Sequence, residues 1–326
     1  MNQCQFSNLQ LQFTNKCSKN LYVKFKQLEY YLLTKIKFLN SNFSKISAFN
    51  IKEFGKTKLS DHNVIEIIFK ILERYDIVLC QEVRLSVEMI NHFVFSLSKS
   101  SSILYSYVSS QPIGRGSYKE RYLYLYRSNK WKVLENYVIK RFCAQFLRAS
   151  YVVRFQNLKN PHIRITLIGY HIHPGNTFEE IKALVNNVYA DIKSRLEKKD
   201  SFSYLFNLSY CFGSSCISLN DFNEQIIIMS DFNASGSYLN KKKQKILDNI
   251  LCKQNLIWGI DHSSDTTVGT KCNAYDQFIF EIKNKERWIG NTRIFEFDKI
   301  FKILKNKKSS NISDHYPIEF ELKLDM

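Results

Sequence analysis

Seven polar residues equipped for metal binding or proton transfer lie where apolar stretches of the sequence begin or end. They are three acids, two asparagines and two histidines: Asn50, Glu82, His171, Asp231, Asn233, Asp314 and His315. Carboxylate and amide oxygens are hard ligands that suit Mg²⁺, Mn²⁺ or Ca²⁺ and hold zinc poorly. Histidine exchanges protons near neutral pH. This combination favours phosphodiester hydrolysis, in which the histidines activate water and protonate the leaving oxygen.

Taken singly, these residues indicate little. An Asp or Asn that ends a strand is more often a turn residue than a ligand. A lone histidine is usually structural or simply exposed. The prediction of a site therefore depends on the joint occurrence of the seven residues.

The apolar pattern predicts the elements that hold these residues. Strands are predicted at 45–51, 76–82, 121–127, 131–139, 150–155, 163–171, 225–231, 277–283 and 317–324, with Asp314 and His315 opening the last strand. Helices are predicted at 60–75, capped by Ser60 or Asp61, and at 86–98, 177–198 and 240–251. The mixed order favours an α/β fold, a four-layered sandwich of two packed mixed sheets flanked by helices, over a doubly wound parallel sheet. Strand ends converge at one edge of such a sandwich, where a site would form.

Length and composition indicate one large domain. The chain has 326 residues, of which 44% are hydrophobic and 14% aromatic, enough for a sizeable core. No apolar run approaches the roughly 18 residues that a membrane span requires. We expect an N-terminal extension of uncertain structure at 1–44 and one domain at 45–326, with an inserted loop at 199–223.

The charge predicts a polyanionic partner. The formal net charge is +17, which attracts nucleic acid or an acidic membrane surface, although charge alone is not specific.

The eight cysteines show neither paired zinc spacings nor the density of a disulfide scaffold, so free thiols are expected. The first 44 residues lack an apolar block of signal-peptide type. An intracellular location, nuclear or cytoplasmic, is favoured, and secreted or mitochondrial locations stay open.

Several segments, in chain order, resemble the deoxyribonuclease I branch of the endonuclease/exonuclease/phosphatase superfamily. They are AFNIKEFGKTKLS (48–60), RYDIVLCQEVR (74–84), PIGRGSYKERYLYLYR (112–127), YHIHP (170–174), SDFNASGSY (230–238), SSDTTV (263–268), NAYDQ (273–277) and SDHYP (313–317). SDHYP and DFN alone would indicate only the superfamily. SYKERYLYLYR and NAYDQ narrow the resemblance to deoxyribonuclease I, and it covers 45–324.

The resemblance implies a divalent-metal-dependent endonuclease that cuts double-stranded DNA with little sequence preference, with Mg²⁺ or Mn²⁺ as cofactor. It implies metal binding by Glu82 with Asn50, Asp231 and Asp314, and general acid/base catalysis by His171 and His315. Glu120 would pair with His171 and Asp276 with His315, and each carboxylate would fix the tautomer and raise the imidazole pKa. Asp231 and Asn233 would hold the scissile phosphate. DNA contacts are implied for Arg84, Tyr118, Arg148 and Lys52.

The sequence departs from the resemblance at its structural sites. Gly236 and Asn273 stand where secreted members of the family have a disulfide. A candidate structural calcium site survives in part at Asp265 and Thr267, but Lys271 replaces a neutral ligand, and Ala149 replaces the acid of a second calcium site. Ca²⁺ is thus a doubtful cofactor. Ser109 replaces an apolar residue at the position through which the pancreatic enzyme meets actin, so actin binding is not expected.

Two other functions stay open. A catalytically silent nucleic-acid-binding relative would keep the basic surface and lose catalytic groups, whereas every matched catalytic position is intact here. A phosphatase or phosphodiesterase of the same superfamily would keep the metal site but should lack the SYKE and AYD contexts. We expect a monomer that acts on double-stranded DNA and does not bind a membrane.

Overall fold

The computed structural model describes residues 42–116, 118–207, 223–303 and 311–324. The predicted extension at 1–44 lies outside the described residues except for its last three. So does most of the predicted insertion, 208–222. Among the described residues, every helix is too short or too polar to span a membrane.

Twelve strands and eight α-helices form the described part of the chain. The strands are β1 (Phe43–Phe54), β2 (Ile77–Val83), β3 (Tyr105–Ser109), β4 (Arg121–Arg127), β5 (Trp131–Val138), β6 (Tyr151–Asn157), β7 (Ile163–His171), β8 (Asn223–Asp231), β9 (Leu256–Trp258), β10 (Asp276–Glu281), β11 (Ile289–Ile294) and β12 (Ile318–Lys323). The helices are α1 (Lys56–Leu59), α2 (His62–Leu72), α3 (Val87–Ser101), α4 (Thr177–Ala183), α5 (Ala190–Asn207), α6 (Lys241–Lys253), α7 (Ile282–Trp288) and α8 (Phe297–Ile300). A π-helical segment, Leu184–Tyr189, joins α4 to α5.

The strands form two mixed sheets of six strands each. The first sheet has the order β11-β12-β1-β2-β4-β3 and the second β5-β6-β7-β8-β10-β9. Each sheet contains a parallel pair near its centre, β1 with β2 and β7 with β8. The predicted combination of mixed sheets is confirmed.

Three apolar clusters separate the layers. The cluster between the two sheets includes Tyr124 of the first sheet and Leu167 of the second. A second cluster packs α2 and α3 on the outer face of the first sheet, and a third packs α4 and α6 on the outer face of the second. Burial of apolar area stabilises each contact by about 25 cal/mol per Å². The expected helix–sheet–sheet–helix sandwich is therefore observed.

Local sequence signals set where the longer helices begin. The carboxylate of Asp61 accepts hydrogen bonds from the backbone N–H groups of Asn63 and Val64, as predicted for a helix cap. Ser86 caps α3 and Asn240 caps α6 in the same way. Each cap satisfies backbone donors that have no partner within the helix.

The structure corrects some predicted bounds. Asp314 and His315 lie in the loop before β12, which begins only at Ile318. The helical run that was predicted to end at 198 continues to Asn207. Strands β3, β9 and β11 were not predicted, because the sequences of these short elements lack the long apolar alternation that marks a strand.

Candidate active site

Three neighbouring strands of the second sheet align three titratable side chains in one row. His171 is paired with Asp231 across β7 and β8, and Asp231 is paired with Asp276 across β8 and β10. Since Cβ atoms of paired positions lie about 5 Å apart on one face of a sheet, the register brings the three side chains together. All three are buried.

The first sheet contributes Asn50 and Glu82 through irregular backbone. The β1–β2 register holds up to the pair Asn50–Gln81 and then shifts before Phe54. Glu82 has a φ of 58°, in the left-handed region that non-glycine residues seldom adopt. Asn50 and Glu82 were predicted to end their strands. Instead, each lies within its strand, at a bulge that redirects its side chain. As a result, the Asn50 amide nitrogen donates to Glu82 Oε1 at 3.0 Å and to Asp231 Oδ2 at 3.1 Å.

Gln81 joins the two sheets beneath the site. Its Nε2 donates to the carbonyl of Tyr170 at 2.7 Å, and its Oε1 accepts from the backbone N–H of Asp231 at 3.1 Å. The side chain is fully buried. Gln81 thus fixes the edge of the second sheet relative to β2. It was not predicted from the sequence, although a glutamine inside the apolar run DIVLCQE was a usable signal.

The first carboxylate–histidine pair is Glu120 with His171. Nδ1 of His171 lies 2.7 Å from Oε1 of Glu120, which also lies 3.3 Å from Nε of Arg148. Burial by itself lowers the pKa of His171, but Glu120 and Asp231 outweigh it and raise that pKa above the usual value. With Nδ1 engaged, Nε2 is the nitrogen that faces the site, 3.5 Å from Oδ2 of Asp231.

The second pair is Asp276 with His315. Nδ1 of His315 lies 2.8 Å from Oδ2 of Asp276. Burial alone lowers the pKa of His315, but Asp276, Asp231 and Asp314 raise it to about 10. Burial also raises the pKa of Asp276 to about 6, although His315 acts to lower it. The two groups compete for one shared proton. Since the pKa of His315 is the higher, the imidazolium–carboxylate form is favoured at pH 7. Nε2 of His315 lies 3.6 Å from Oδ2 of Asp231.

Asn233 lies directly beside the carboxylate of Asp231. Its backbone N–H donates to Asp231 Oδ1 at 3.0 Å, and its side-chain amide donates to the carbonyl of Ile172 at 3.1 Å. Its φ of 48° is again left-handed. The tight turn after β8 therefore orients Asp231 and Asn233 together.

Asp314 lies at the open side of the site and pairs with Lys52. Their side chains are each 42% exposed, and Lys52 Nζ lies 2.8 Å from Asp314 Oδ2. Burial tends to raise the pKa of Asp314, but His315 and Lys52 leave it below the usual value. Asp314 is therefore a carboxylate at neutral pH. Lys52, a predicted DNA contact, lies against a predicted metal ligand.

The oxygen donors suit a hard divalent cation. The amide nitrogen of Asn50 links Glu82 to Asp231, and Asp314, the remaining predicted carboxylate ligand, pairs with Lys52 at the open side. Ligand atoms of Asp231, Asp276 and His315 also lie within 4.8 Å of one another. In that second group Asp276 and His315 are hydrogen-bonded to each other. Asn50 donates its amide nitrogen to Glu82 and Asp231, and its Oδ1 accepts from the backbone N–H of Lys52 at 2.9 Å, so the three carboxylates of the predicted set offer the oxygen ligands that suit Mg²⁺ or Mn²⁺.

Three of the four predicted DNA contacts, all but Lys52, lie on the His171 side of the site. Arg84 donates to the hydroxyl of Tyr118 at 2.7 Å, and its guanidinium stacks 4.4 Å from the centre of that ring. Arg148 lies 5.6 Å from the same ring centre and donates to the backbone carbonyl of His171. Tyr118 and Arg148 also line a cavity of about 310 Å³. The structure brings these three residues together.

The candidate calcium loop is closed by its own hydrogen bonds. Oδ1 of Asp265 accepts from the backbone N–H groups of Thr267 and Asn273, at 3.1 and 3.2 Å, and lies 2.9 Å from Oγ1 of Thr267. Backbone bonds from Val268 and Tyr316 join this loop to the segment that carries His315. Through these hydrogen bonds the loop supports the segment that carries His315.

Gly236 and Asn273, the positions at which the resemblance would place a disulfide, are neighbours in space. A β-carbon added at Gly236, whose φ is +63°, would lie 2.6 Å from the side-chain oxygen of Asn273. Cys272 next to Asn273 is a free thiol, as are Cys80, Cys143 and Cys252. These four are the cysteines of the described residues, and none of them is paired with another.

Glu180 of α4 supports the loops around His171, a role that was not predicted from the sequence. Its carboxylate accepts from Leu147 N at 2.9 Å, from His173 N at 2.9 Å and from the hydroxyl of Tyr170 at 2.7 Å. Glu180 is buried. No local pattern in the sequence marks this role, because the partners of Glu180 lie on other elements.

Curated relatives match nearly the whole described domain. The chain is 32% identical over 286 residues to deoxyribonuclease-1 of Bos taurus, which covers 85% of this chain and 92% of the relative. It is 31% identical over 293 residues to human deoxyribonuclease gamma, with 86% of each chain covered. No protein-family model matches the chain.

Solved structures show the same fold at low identity. An endonuclease/exonuclease/phosphatase protein from Bacteroides vulgatus superposes with a TM-score of 0.55 at 10% identity, covering 87% of this chain and 99% of the other. The catalytic domain of human Nocturnin superposes with a TM-score of 0.53 at 12% identity, covering 86% and 93%. These likenesses establish the architecture.

Proposed function

The chain belongs to the deoxyribonuclease I family, and from this we propose that it is a divalent-metal-dependent endonuclease that hydrolyses double-stranded DNA with little sequence preference. The observation that carries the proposal is the arrangement of two carboxylate–histidine pairs around one aspartate. Nε2 of His171 and Nε2 of His315 lie 3.5 and 3.6 Å from Oδ2 of Asp231. A phosphate bound beside Asp231 would lie between two imidazoles.

The two histidines would move the protons of the reaction. A neutral imidazole accepts a proton from the attacking water at Nε2, and an imidazolium donates one to the leaving oxygen from the same atom. Glu120 and Asp276 hold Nδ1 of their histidines and thereby present Nε2 to the substrate. Asn233 would bind the phosphate beside Asp231.

Glu82, Asn50, Asp231 and Asp314 would hold Mg²⁺ or Mn²⁺, which when bound supplies positive charge that stabilises the transition state. Asn50 keeps the two carboxylates of Glu82 and Asp231 at a fixed separation by donating to both. The backbone N–H of Glu53 fixes the second oxygen of Glu82 at 2.8 Å. This arrangement preorganises the site before DNA arrives.

DNA would bind along Arg84, Tyr118 and Arg148, with Lys52 near the backbone. The stacked guanidinium and phenol suit the minor groove, whose pattern of donors and acceptors distinguishes bases poorly. Contacts to phosphate carry no sequence information. We therefore expect weak sequence preference and an affinity for DNA that falls steeply as the salt concentration rises.

We also propose an intracellular site of action, because free thiols suit a reducing compartment. Cys80, Cys143, Cys252 and Cys272 are free. Localisation of the tagged full-length protein in its own cells would test this, and a purely extracellular signal would contradict it.

Conversion of supercoiled plasmid to open circles tests the activity. The purified protein should nick the plasmid with Mg²⁺ or Mn²⁺ and stop when EDTA is added. Glu82→Ala should lose at least 100-fold in rate if Glu82 holds the metal, since ligand loss removes the charge that stabilises the transition state. DNA binding without nicking in the wild type would favour the silent binding relative. Release of phosphate from phosphomonoesters, with intact plasmid, would favour the phosphatase.

A further inference from the structure

The side chain of Lys58 lies beneath the proposed metal ligands and makes no contact that the proposed mechanism uses. Its ammonium group donates to the carbonyl oxygens of Ile51 and Ile312 at 2.8 Å each, and to the carbonyl of Lys52. An ammonium has three N–H donors. Three backbone carbonyls therefore accept hydrogen bonds from all three N–H groups of the Lys58 ammonium, which points into the protein and away from solvent.

These carbonyls belong to two segments that are far apart in the chain. Ile51 and Lys52 follow Asn50 in the bulge of β1, and Ile312 precedes the loop that carries Asp314. The bond from Lys58 to Ile312 spans 254 residues of sequence. Lys58 thus fixes the position of one ligand segment relative to the other.

Two further contacts join the same segments. The buried hydroxyl of Ser313 donates to the carbonyl of Asn50 at 2.6 Å, and Lys52 pairs with Asp314 at 2.8 Å. Asp314 is half-exposed, so its ion pair with Lys52 is screened by solvent and contributes little. Ser313 joins the two segments by one neutral hydrogen bond, and its second bond, from the backbone N–H of His315, stays within its own segment. Lys58, with three charge-assisted bonds, is the strongest of these links.

The bulge that Lys58 holds is unfavourable on its own. Lys52 and Glu53 have φ values of 28° and 49°, which non-glycine residues seldom adopt. Backbone in this region is strained and persists only where the surroundings hold it. The hydrogen bond from Lys58 to the carbonyl of Lys52 holds this strained backbone in place between Asn50 and Glu53.

We propose that Lys58 is a positioning residue for the metal site, one that sets the distance between Asn50 and Asp314 without touching metal or DNA. The proposal rests on the proposed function only in taking these residues as metal ligands. Positioning groups of this kind change metal affinity or activity by about 10–100-fold when removed. Lys58 should therefore act on metal binding and on kcat, and leave DNA binding largely unchanged.

The test compares Lys58→Met with Lys56→Met, a control at an exposed lysine of the same short helix. Mn²⁺ binding to the DNA-free protein is titrated by EPR, and kcat and KM are measured with plasmid. Lys58→Met should bind Mn²⁺ about 10–100-fold more weakly and lose kcat by a similar factor, with KM for DNA within about twofold. Lys56→Met should match the wild type in all three.

Wild-type Mn²⁺ affinity in a folded Lys58→Met protein, with its melting transition intact, would overturn the proposal. If Lys58→Met does not fold, Lys58→Arg decides. A planar guanidinium cannot direct three donors from one atom to three converging carbonyls, so weaker Mn²⁺ binding supports the proposal and wild-type affinity overturns it.

The two proposals fail separately. If the wild type binds Mn²⁺ but does not nick DNA, the proposed endonuclease activity is wrong, and the Mn²⁺ titrations still decide the role of Lys58. If the wild type binds no Mn²⁺, Lys58 has no metal site to organise and the positioning proposal is overturned.

Discussion

His171 and Asp231 occupy paired positions at the ends of two adjacent parallel strands, with Nε2 of the histidine 3.5 Å from Oδ2 of the aspartate. Strand register alone places them there. Asp276 extends the row on the next strand and holds His315, whose Nε2 reaches the same oxygen from the other side. The chemistry at this edge depends on keeping that register.

The Asp276–His315 pair should be essential for turnover but not for DNA binding. Asp276→Asn keeps the shape of the side chain but removes the charge that favours the imidazolium and the acceptor that fixes the tautomer. By analogy with other histidine–carboxylate pairs, kcat should fall roughly 10²–10⁴-fold. Steady-state nicking at several plasmid concentrations measures this, and a change in KM with kcat retained would contradict it.

The stability of the metal-free protein should depend on pH through His315. Its pKa is about 10 in the folded state, against 6.5 for an unperturbed histidine. The folded state therefore binds the proton more tightly, so this contribution is fully present below pH 6.5 and is lost as pH rises toward 10.

Urea unfolding of wild type and His315→Gln between pH 6 and 10 isolates this contribution. The difference in unfolding free energy between the two proteins should shrink as pH rises. The comparison is needed because burial lowers the pKa of Lys58 to about 8, and that shift makes stability rise with pH over an overlapping range. A difference that stays constant with pH would show that His315 does not titrate as described.

Glu180→Gln should loosen the loops beside His171. The amide NH₂ cannot accept a hydrogen bond, so one or two of the donors Leu147 N, His173 N and Tyr170 Oη lose their partner. Each buried unsatisfied group costs about 1–3 kcal/mol. The melting temperature should fall and KM for plasmid should rise, since Leu147 adjoins Arg148. Glu179→Gln, an exposed neighbour, is the matched control and should behave as the wild type.

Calcium should not stabilise the 265–273 loop. Oδ1 of Asp265 already closes the loop through Thr267 and Asn273. Adding millimolar Ca²⁺ or EGTA in the presence of Mg²⁺ should leave the melting temperature and the nicking rate unchanged. A melting temperature that rises with Ca²⁺ in the wild type but not in Asp265→Asn would locate a calcium site at this loop.

Much of the architecture could be predicted from local pattern, because apolar alternation reports directly on burial. The bounds of β4 and β7 were predicted correctly. The bulges at Asn50 and Glu82 were not, because a bulge changes the pairing of strands without changing their composition.

The contacts that support the site could not be predicted, because they join residues far apart in sequence. Gln81 bonds to Tyr170 across 89 residues, and Lys58 to Ile312 across 254. The pairing of Glu120 with His171 was expected only from the family resemblance, since no spacing rule connects residues 51 apart. Resemblance thus identified the groups at the centre of the site, and only the structure identified those beneath it.

The two-histidine mechanism is tested most directly by the rate at which supercoiled plasmid becomes open circular in Mg²⁺, measured for wild type, His171→Ala, His315→Ala and His92→Ala. His92 is an exposed histidine of α3 and serves as the control. We predict metal-dependent nicking by wild type and His92→Ala, and losses of at least 100-fold in both of the other variants. Nicking at the wild-type rate by either His171→Ala or His315→Ala, in folded protein, would contradict a mechanism that depends on both imidazoles.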